Sequence, residues 1–451
     1  MKRLISILVC IVMALCVCSC NQNNSANTST SDSMKEEISE KVVLETKQYT
    51  IFLAETDAVQ KISATVYENE EVVENAEVVY EADNTAVAEV QEDGRIIAKG
   101  AGLTEVKVTY KRASATAEVR VIDEATTEEV NTFDEKFVNL YGRTYKREDA
   151  LHLDHAASGI EVAINGTTLR AEMEVSANVY LCVYVDGLEN RERISLTPSQ
   201  TTYTLASGLE RGFHTIRLVK SSEIYDGQIN IVSLRSEGFY TAPEKSNFRI
   251  EFVGDSITAG YGSLGATGAA RTVENSDACS SYAYYTAQKL GVDYSVVAIQ
   301  GICVKAHMWL QESMNDVYKI LSPFNRTPYS FEDKADVVVV NLGTNDAEYI
   351  KSKDGTYCQQ FPQDYLALLQ YIRGKNPNAY IVCLYGFMGK QSSIEDGIKQ
   401  AVKNCNDKKV VYLENGFVPE GLGANSHPSK HAQNEWAEIL ADYIQTNIME
   451  K

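Results

Sequence analysis

The period of the hydrophobic pattern changes along the chain and divides it into β-rich and mixed parts. From about residue 41 to residue 242, short runs of alternating apolar and polar residues are separated by turn signals such as Asp93-Gly94. A period of two predicts half-buried strands. From Phe248 onward, continuous apolar runs alternate with segments whose apolar positions recur at helical spacing, which predicts strands and helices in turn.

Residues 41–122 are expected to form a small β-sandwich, because several short strands with regular turns are typical of that architecture. The β-rich runs are 61–67, 77–80, 87–90, 95–98, 104–110 and 115–122. The stretch VAEVQEDGRIIAKGAGLTEVKVTY within them resembles the bacterial Ig-like group 2 modules of surface proteins. We find no catalytic pattern in it, so a spacer is predicted, with a weak glycan or cell-wall contact as the alternative.

A polar linker at 123–130 leads to residues 131–243, for which we predict a second β-sandwich, of jelly-roll type. Its clearest strands are expected at 177–186, 213–219 and 229–234.

Residues 246–451 are predicted to form a three-layer, flavodoxin-like α/β domain with a parallel sheet. Strands are expected at 248–253, 294–299, 336–341, 379–384 and 409–413. One helix should span 282–290 and end at Gly291, and another should pass through 365–372 before Gly374. The last helix should start after Ser429 and carry Trp436 into the core.

The N-terminus has the pattern of a targeting segment. Lys2 and Arg3 precede an apolar run at 4–17, and Cys20 follows a small residue. This resembles a bacterial lipoprotein box, which implies a signal peptide at 1–20, lipid on Cys20, a flexible linker at 21–40 and a lipid-anchored place on the bacterial cell surface. An ordinary secretory peptide is the alternative.

Charge and cysteine placement restrict the partners. A formal charge of −20 argues against nucleic acid and anionic membrane surfaces, which require basic patches. The cysteines beyond Cys20 are widely spaced, so no disulfide can be assigned and no metal site is predicted. We expect a monomer without a cofactor.

Four polar blocks follow predicted strands or precede the last helix, at the ligand-binding edge of such a sheet. They are Gly254-Asp255-Ser256, Ala298-Ile299-Gln300-Gly301, Asn341-Leu342-Gly343-Thr344-Asn345-Asp346 and Ser426-His427-Pro428. A serine on a sharp turn after a strand is a common nucleophile, and it needs a base such as a histidine.

The order of Ser256, Gly301, Asn345 and His427 resembles that of the SGNH hydrolases. The segments IEFVGDSITAGYG, VVVVNLGTND and HPSKHAQNEWA are similar to carbohydrate esterase family two, and FVNLYGRTY, VYVDG and LERGFHTIRLVKSSE resemble the β-sandwich that precedes the hydrolase domain there. The resemblance spans about residues 135–450. It implies Ser256 as nucleophile, His427 as base, and an oxyanion hole formed by Ser256, Gly301 and Asn345.

The block around His427 departs from that family. Most SGNH enzymes place an aspartate where this chain has Ala424, and family-two esterases tend to have aspartate and tryptophan where it has Asn425 and Ser426. Asn425 is therefore the candidate orienter of His427, and a Ser–His dyad oriented by a backbone carbonyl is the hypothesis.

Other residues near the blocks are candidates for weaker roles. Tyr261, Trp309 and Tyr357 are candidate sugar platforms or packing residues. Asp255 is a candidate substrate contact, and the simpler alternative is that it holds the turn after the strand. Asp346 is expected to order the Asn345 loop. The remaining histidines are expected to be structural or surface residues: His152, His155, His214, His307 and His431.

The resemblance implies a surface esterase that removes acetyl groups from O-acetylated polysaccharide. A non-catalytic glycan-binding protein and an esterase for another acyl ester are the alternatives.

Overall fold

The computed structural model describes residues 39–53, 60–123, 128–130, 137–236, 239–241, 243–414 and 420–450. The predicted signal peptide with Cys20 and nearly all of the predicted linker 21–40 lie outside these residues. Within the described ranges, we find no helix with the length and apolar character required to cross a bilayer.

The first module is a pair of packed β-sheets with a small hairpin. One sheet has the order β1-β3-β4 and the other β2-β9-β8-β5, in which only β2 and β9 pair in parallel. Val66, Val106 and Val119 are among the apolar side chains buried between them. The strands are β1 (Glu40–Leu44), β2 (Gln48–Phe52), β3 (Ala64–Glu68), β4 (Glu71–Val72), β5 (Val79–Ala82), β6 (Ala88–Val90), β7 (Ile96–Ala98), β8 (Gly102–Tyr110) and β9 (Ala113–Ile122).

The second module consists of two antiparallel sheets with a common core that includes Leu151, Ile160 and Leu181. The orders are β12-β13-β20-β15-β18, with β10 on β20, and β11-β14-β19-β16-β17, with β21 on β14. The strands are β10 (Glu128–Val130), β11 (Val138–Tyr141), β12 (Tyr145–Arg147), β13 (Ala150–Leu153), β14 (Gly159–Asn165), β15 (Leu169–Val175), β16 (Val179–Val185), β17 (Arg191–Leu196), β18 (Thr202–Ala206), β19 (Phe213–Lys220), β20 (Ile229–Ser236) and β21 (Phe239–Thr241).

The third module is a parallel sheet with helices on both faces, in the order β23-β22-β26-β27-β28. The strands are β22 (Arg249–Gly254), β23 (Asp293–Ala298), β24 (Ile320–Ser322), β25 (Asn325–Pro328), β26 (Val337–Asn341), β27 (Tyr380–Leu384) and β28 (Val410–Tyr412); β24 and β25 form a separate hairpin. The helices are α1 (Tyr282–Leu290), α2 (Met314–Val317), α3 (Thr344–Ser352), α4 (Phe361–Lys375), α5 (Ser392–Asn404) and α6 (Lys430–Ile444).

Alternate residues of the central strand β26 face opposite layers, which explains its continuous apolar run. Val337 and Val339 pack in the cluster that contains α1 and α6, whereas Val338 and Val340 pack in the cluster that contains α4 and α5. The predicted core position of Trp436 is confirmed, because its ring is fully buried and stacks on another aromatic ring.

The second module shares its core with the third module. Tyr141 stacks on Tyr294 with 5.0 Å between ring centroids. The fully buried Arg143 donates to the carbonyls of Tyr318 and Ile320, both at 2.8 Å. This extensive contact means that loops of the second module are held in a fixed position beside the parallel sheet of the third module.

Candidate active site

The four polar blocks meet at the carboxyl edge of the parallel sheet. Ser256 follows β22, Gly301 follows β23, and Asn345 lies in the first turn of α3, directly after β26. His427 lies in the loop before α6. Strands β23, β22 and β26 are neighbours in the sheet, so their following loops are neighbours too.

Ser256 and His427 form a hydrogen-bonded pair, with 2.9 Å between Oγ and Nε2. The serine lies in a tight turn in which the Tyr261 amide donates to its carbonyl at 3.0 Å. Ser256 is 7% exposed, so it is shielded from bulk water and still reachable from the surface.

The other ring nitrogen of His427 fixes its tautomer. Nδ1 lies 3.0 Å from the main-chain carbonyl of Asn425. A carbonyl only accepts, so Nδ1 carries the proton, and Nε2 is free to accept the proton of the serine hydroxyl. Burial lowers the pKa of His427 below its ordinary value, which favours the neutral, basic form.

The chain before His427 bends to bring that carbonyl to the ring. Asn425 and Ser426 both have positive φ, 47° and 58°, which is the left-handed region. The candidate orienter Asn425 therefore acts through its main chain, while its side-chain amide donates to the Tyr261 hydroxyl at 3.2 Å. This is the arrangement of the hypothesised dyad.

Ala424 packs closely against the loop that carries Ser256. It is fully buried, and its amide donates to the Gly262 carbonyl at 2.9 Å. A Cβ on Gly265 would lie 2.6 Å from the Ala424 Cβ. The glycines of the nucleophile loop and the small residue before His427 thus allow the two loops to pack together.

Asn345 and Gly301 are joined through the loop that follows Gly301. The Asn345 amide donates to the Ile302 carbonyl at 3.0 Å. Both carboxylate oxygens of Asp346 accept from the Val304 amide, at 3.1 and 3.2 Å. Asp346 therefore joins its own loop to the Gly301 loop, which orders the Asn345 loop as the sequence predicted.

Gly301 has φ 75°, and a Cβ there would lie 3.0 Å from the side chain of Trp309. The Trp309 side chain is 65% exposed directly beside this turn. Trp309 is therefore the predicted platform residue that the structure leaves open to a ligand.

Two candidate substrate contacts are corrected by the structure. Asp255 is buried and accepts from the Ile257 amide at 3.0 Å, so it holds the turn beneath the site; burial raises its pKa to about 7. Tyr357 has a buried hydroxyl, and its ring packs edge-on against Tyr349 and Phe361. Asp255 therefore presents no surface to substrate, whereas Tyr357 is half-buried and its ring serves in packing.

Tyr261 lies in the site, but it packs on His427. The two ring centroids are 4.3 Å apart, and the Arg271 guanidinium lies 5.0 Å from the centroid of the tyrosine ring. Arg271 pairs in turn with Asp226 of the second module. Sequence reasoning missed both charged residues, because no periodicity or motif connects positions in separate modules.

A second buried cluster joins the two modules, apart from the Arg271–Asp226 pair. Potential ligand atoms of Cys182, Asp277 and Cys279 lie within 4.8 Å of one another. Asp277 is already bound by Arg191 and by the Ser221 hydroxyl, so the cluster has a structural role at the interface.

The other described histidines have varied surroundings outside the site. His155 is buried with Nε2 2.9 Å from the Leu321 carbonyl, and burial lowers its pKa to about 4. His214 contacts Asp186, and His431 lies 3.4 Å from Glu435.

Comparison with known proteins matches the same region of the chain. Residues 140–243 match the family described as carbohydrate esterase 2 N-terminal, and residues 252–446 match the GDSL-like lipase/acylhydrolase family. The cellulase/esterase CelE of Acetivibrio thermocellus is 28% identical over 65% of this chain, which is 37% of CelE. An acetylxylan esterase/glucomannan deacetylase of Cellvibrio japonicus is 24% identical over 68% of this chain and 88% of its own length.

Solved structures agree with the sequence matches. A family two carbohydrate esterase from Clostridium thermocellum, in complex with cellohexaose, has a TM-score of 0.63 and 26% identity, and covers 69% of this chain and 99% of its own. An acetyl xylan esterase from the rumen bacterium Butyrivibrio proteoclasticus shares the fold, with a TM-score of 0.65 and 22% identity over 72% of this chain and 99% of its own. The β-rich module at 140–243 and the α/β domain at 252–446 therefore match, in order, the carbohydrate esterase 2 N-terminal family and the GDSL-like lipase/acylhydrolase family, and the chain is similar over both to family two carbohydrate esterases.

Proposed function

We propose that the protein is a serine esterase that removes O-acetyl groups from polysaccharide through an acetyl-serine intermediate. The observation that carries this proposal is the 2.9 Å contact between the Ser256 hydroxyl and the unprotonated nitrogen of His427. A serine alcohol is a weak nucleophile, and a neutral imidazole at hydrogen-bond distance is what activates it.

The proposed reaction starts from this contact. As Ser256 Oγ attacks the acetyl carbonyl carbon, its proton moves to His427 Nε2. The resulting oxyanion is stabilised by the amides of Ser256 and Gly301 and by the Asn345 side chain. Collapse breaks the bond to the sugar oxygen, which takes the proton from His427. Water then attacks the acetyl-serine with His427 as base, which releases acetate and restores the serine.

Without an aspartate, the imidazolium formed during the reaction is stabilised by the dipole of the Asn425 carbonyl. That carbonyl holds the ring orientation and the tautomer, and it offsets the positive charge less than a carboxylate does. Burial lowers the pKa of His427, so the resting ring is held in its neutral, basic form, but burial does not supply the charge stabilisation that a carboxylate would give to the imidazolium.

The substrate class is supported by the exposed Trp309 and by the relatives. Aromatic side chains offer a flat apolar face to the faces of sugar rings. Related proteins are named as acetylxylan esterases and glucomannan deacetylases, and one was solved with cellohexaose. We therefore favour β-linked plant-type glycans of the xylan and mannan type as substrates.

Acetate release from acetylated xylan, acetylated glucomannan and 4-nitrophenyl acetate tests the function. The wild-type protein should release acetate, and Ser256→Ala should lower the rate by at least about 10³-fold, as for other serine nucleophiles. Unchanged acetate release by Ser256→Ala, at equal thermal stability, would exclude Ser256 as the nucleophile. Absence of turnover by the wild type on every ester would overturn the function itself.

The remaining parts of the chain are assigned supporting roles in the same proposal. Lipid on Cys20 anchors the protein to the bacterial cell surface, and the linker 21–40, the Ig-like module 41–122 and the jelly-roll module 131–243 carry a monomeric catalytic domain outward. The lipobox pattern and the β-strand pattern support these assignments. Labelled fatty acid should be incorporated by the wild type and not by Cys20→Ala, which should be released from the cells.

A further inference from the structure

A buried ion pair connects the second module to the loop beside the nucleophile. Asp226 ends the short turn Ile224–Asp226 between β19 and β20. Arg271 donates through both terminal nitrogens to the two carboxylate oxygens of Asp226, one of them at 2.7 Å. The side chains are only 13% and 5% exposed, and this planar, two-point geometry fixes the guanidinium in place.

The fixed guanidinium continues toward the catalytic pair. Arg271 Nε donates to the Ser276 hydroxyl at 2.8 Å, and the guanidinium lies 5.0 Å from the centroid of the Tyr261 ring. The Tyr261 ring contacts His427 with 4.3 Å between centroids. The contacts are continuous from the β-module carboxylate to the imidazole.

Tyr261 also contacts the residue that orients the histidine. Its hydroxyl accepts from the Asn425 side chain at 3.2 Å, and the Asn425 carbonyl accepts from His427 Nδ1 at 3.0 Å. A tilt of the tyrosine ring therefore changes both the packing against the imidazole and the support of its hydrogen-bonded partner.

Charge acts along the same route. Burial is the largest cause of the lowered pKa of His427; the hydrogen bond to Asn425 raises this pKa, and the positive charge of Arg271 lowers it. The groups that face Arg271 are Asp226, Tyr261 and the buried carboxyl of Glu223, whose pKa burial raises to about 8. Asp226 is thus the hydrogen-bonded counter-charge that offsets the electrostatic effect of the guanidinium on the pKa of His427.

We propose that Asp226 of the β-module is a positioning residue for catalysis, which sets the orientation and the basicity of His427 through Arg271 and Tyr261. The inference builds on the proposed esterase function, in which His427 is the base. It assigns the second module a supporting part in catalysis, because Arg271 of the hydrolase domain has its hydrogen-bonded counter-charge, Asp226, on the second module.

Three variants separate charge from geometry. Asp226→Asn keeps the shape and leaves the guanidinium charge uncompensated, so the pKa of His427 should fall. Arg271→Met removes the cation and leaves the carboxylate, so the pKa should rise. Because the Tyr261 ring separates the Arg271 guanidinium from the imidazole, pKa shifts of about half a pH unit in opposite directions are expected. The pKa of His427 in the double variant should return close to the wild-type value.

The variants also differ in rate. Arg271→Met should lower kcat/KM for 4-nitrophenyl acetate by about tenfold, since an interaction near 1.4 kcal/mol supports the tyrosine. Arg271→Lys keeps the charge and loses the two-point geometry. It should retain the wild-type His427 pKa with an intermediate rate.

The readouts are NMR titration of the His427 imidazole, assigned by its loss in His427→Gln, and the pH profile of kcat/KM. Arg191→Met is the matched control, because Arg191 pairs with Asp277 across the same two modules. It should lower the melting temperature and leave the His427 pKa unchanged.

A purely structural ion pair would give a different result. If Asp226→Asn and Arg271→Met both lower the melting temperature, as Arg191→Met does, and shift the His427 pKa in one direction or not at all, the proposal is overturned. The NMR titration needs no turnover, so a wild type without esterase activity would refute the proposed function and still leave this coupling to be measured. Asp226→Asn, which preserves shape, and Arg271→Lys, which preserves charge, provide folded variants for the comparison.

Discussion

Replacement of Asn425 tests whether the carbonyl, rather than a side chain, orients the catalytic histidine. Asn425 has φ 47° and ψ 37°, so glycine adopts the same conformation at no steric cost and keeps the carbonyl 3.0 Å from His427 Nδ1. Asn425→Gly removes one hydrogen bond, from the side-chain amide to the Tyr261 hydroxyl. Such a bond contributes about 0.5–1.5 kcal/mol, which is about two- to tenfold in rate if all of it acts in the transition state.

Enzymes that orient their histidine with a carboxylate respond very differently, because disabling that side chain lowers kcat by about 10⁴. We therefore expect Asn425→Gly to keep at least about a tenth of the wild-type kcat/KM on 4-nitrophenyl acetate. Asn425→Ala keeps the carbonyl too, but unlike Asn425→Gly it has a Cβ in a left-handed conformation. It should therefore be less stable than Asn425→Gly by about 1–2 kcal/mol and unfold at a lower temperature. The reasoning is refuted if Asn425→Gly folds normally and loses about 10³-fold or more in kcat/KM.

Three further results are expected. Asn345→Ala should lower kcat about 10²–10³-fold on small and polymeric esters alike, because it deletes an oxyanion donor, and a loss confined to KM would contradict that role. Ala424→Asp should lower the melting temperature without raising kcat/KM, because Ala424 is fully buried and a carboxylate there would be desolvated; a faster enzyme would show that the loop admits a carboxylate. The acidic limb of kcat/KM should fall at a pH below 6.5, because burial lowers the pKa of His427 and only the neutral ring acts as a base; a limb above 6.5 would contradict this.

The sequence predicted the elements that depend on local periodicity and capping. The strands at β22, β23, β26, β27 and β28 are apolar runs between polar loops, and α6 begins after Ser429, whose side chain accepts from the Ala432 amide. The expected burial of Trp436 follows from the same helical spacing. These features are determined within a few residues of chain.

Features that depend on backbone angles or on contacts between modules were predicted incompletely or not at all. An orienting backbone carbonyl was hypothesised from the family resemblance, but the choice of the Asn425 carbonyl depends on two consecutive left-handed residues, and Ser426 gives little sign of that conformation in the sequence. The packing of the Tyr357 ring depends on its contact with α4, and the Arg271–Asp226 pair joins two modules. An amino-acid pattern carries no distance information of this kind.

The most direct test of the account is the chemical identity of the intermediate. The protein is mixed with 4-nitrophenyl acetate, quenched in acid and digested, and each peptide is examined by mass spectrometry. We predict one acetyl group on Ser256, lost with time as acetate is released and absent in Ser256→Ala. An acetyl group that accumulates and turns over at another residue, or undiminished turnover in Ser256→Ala, would contradict the central claim.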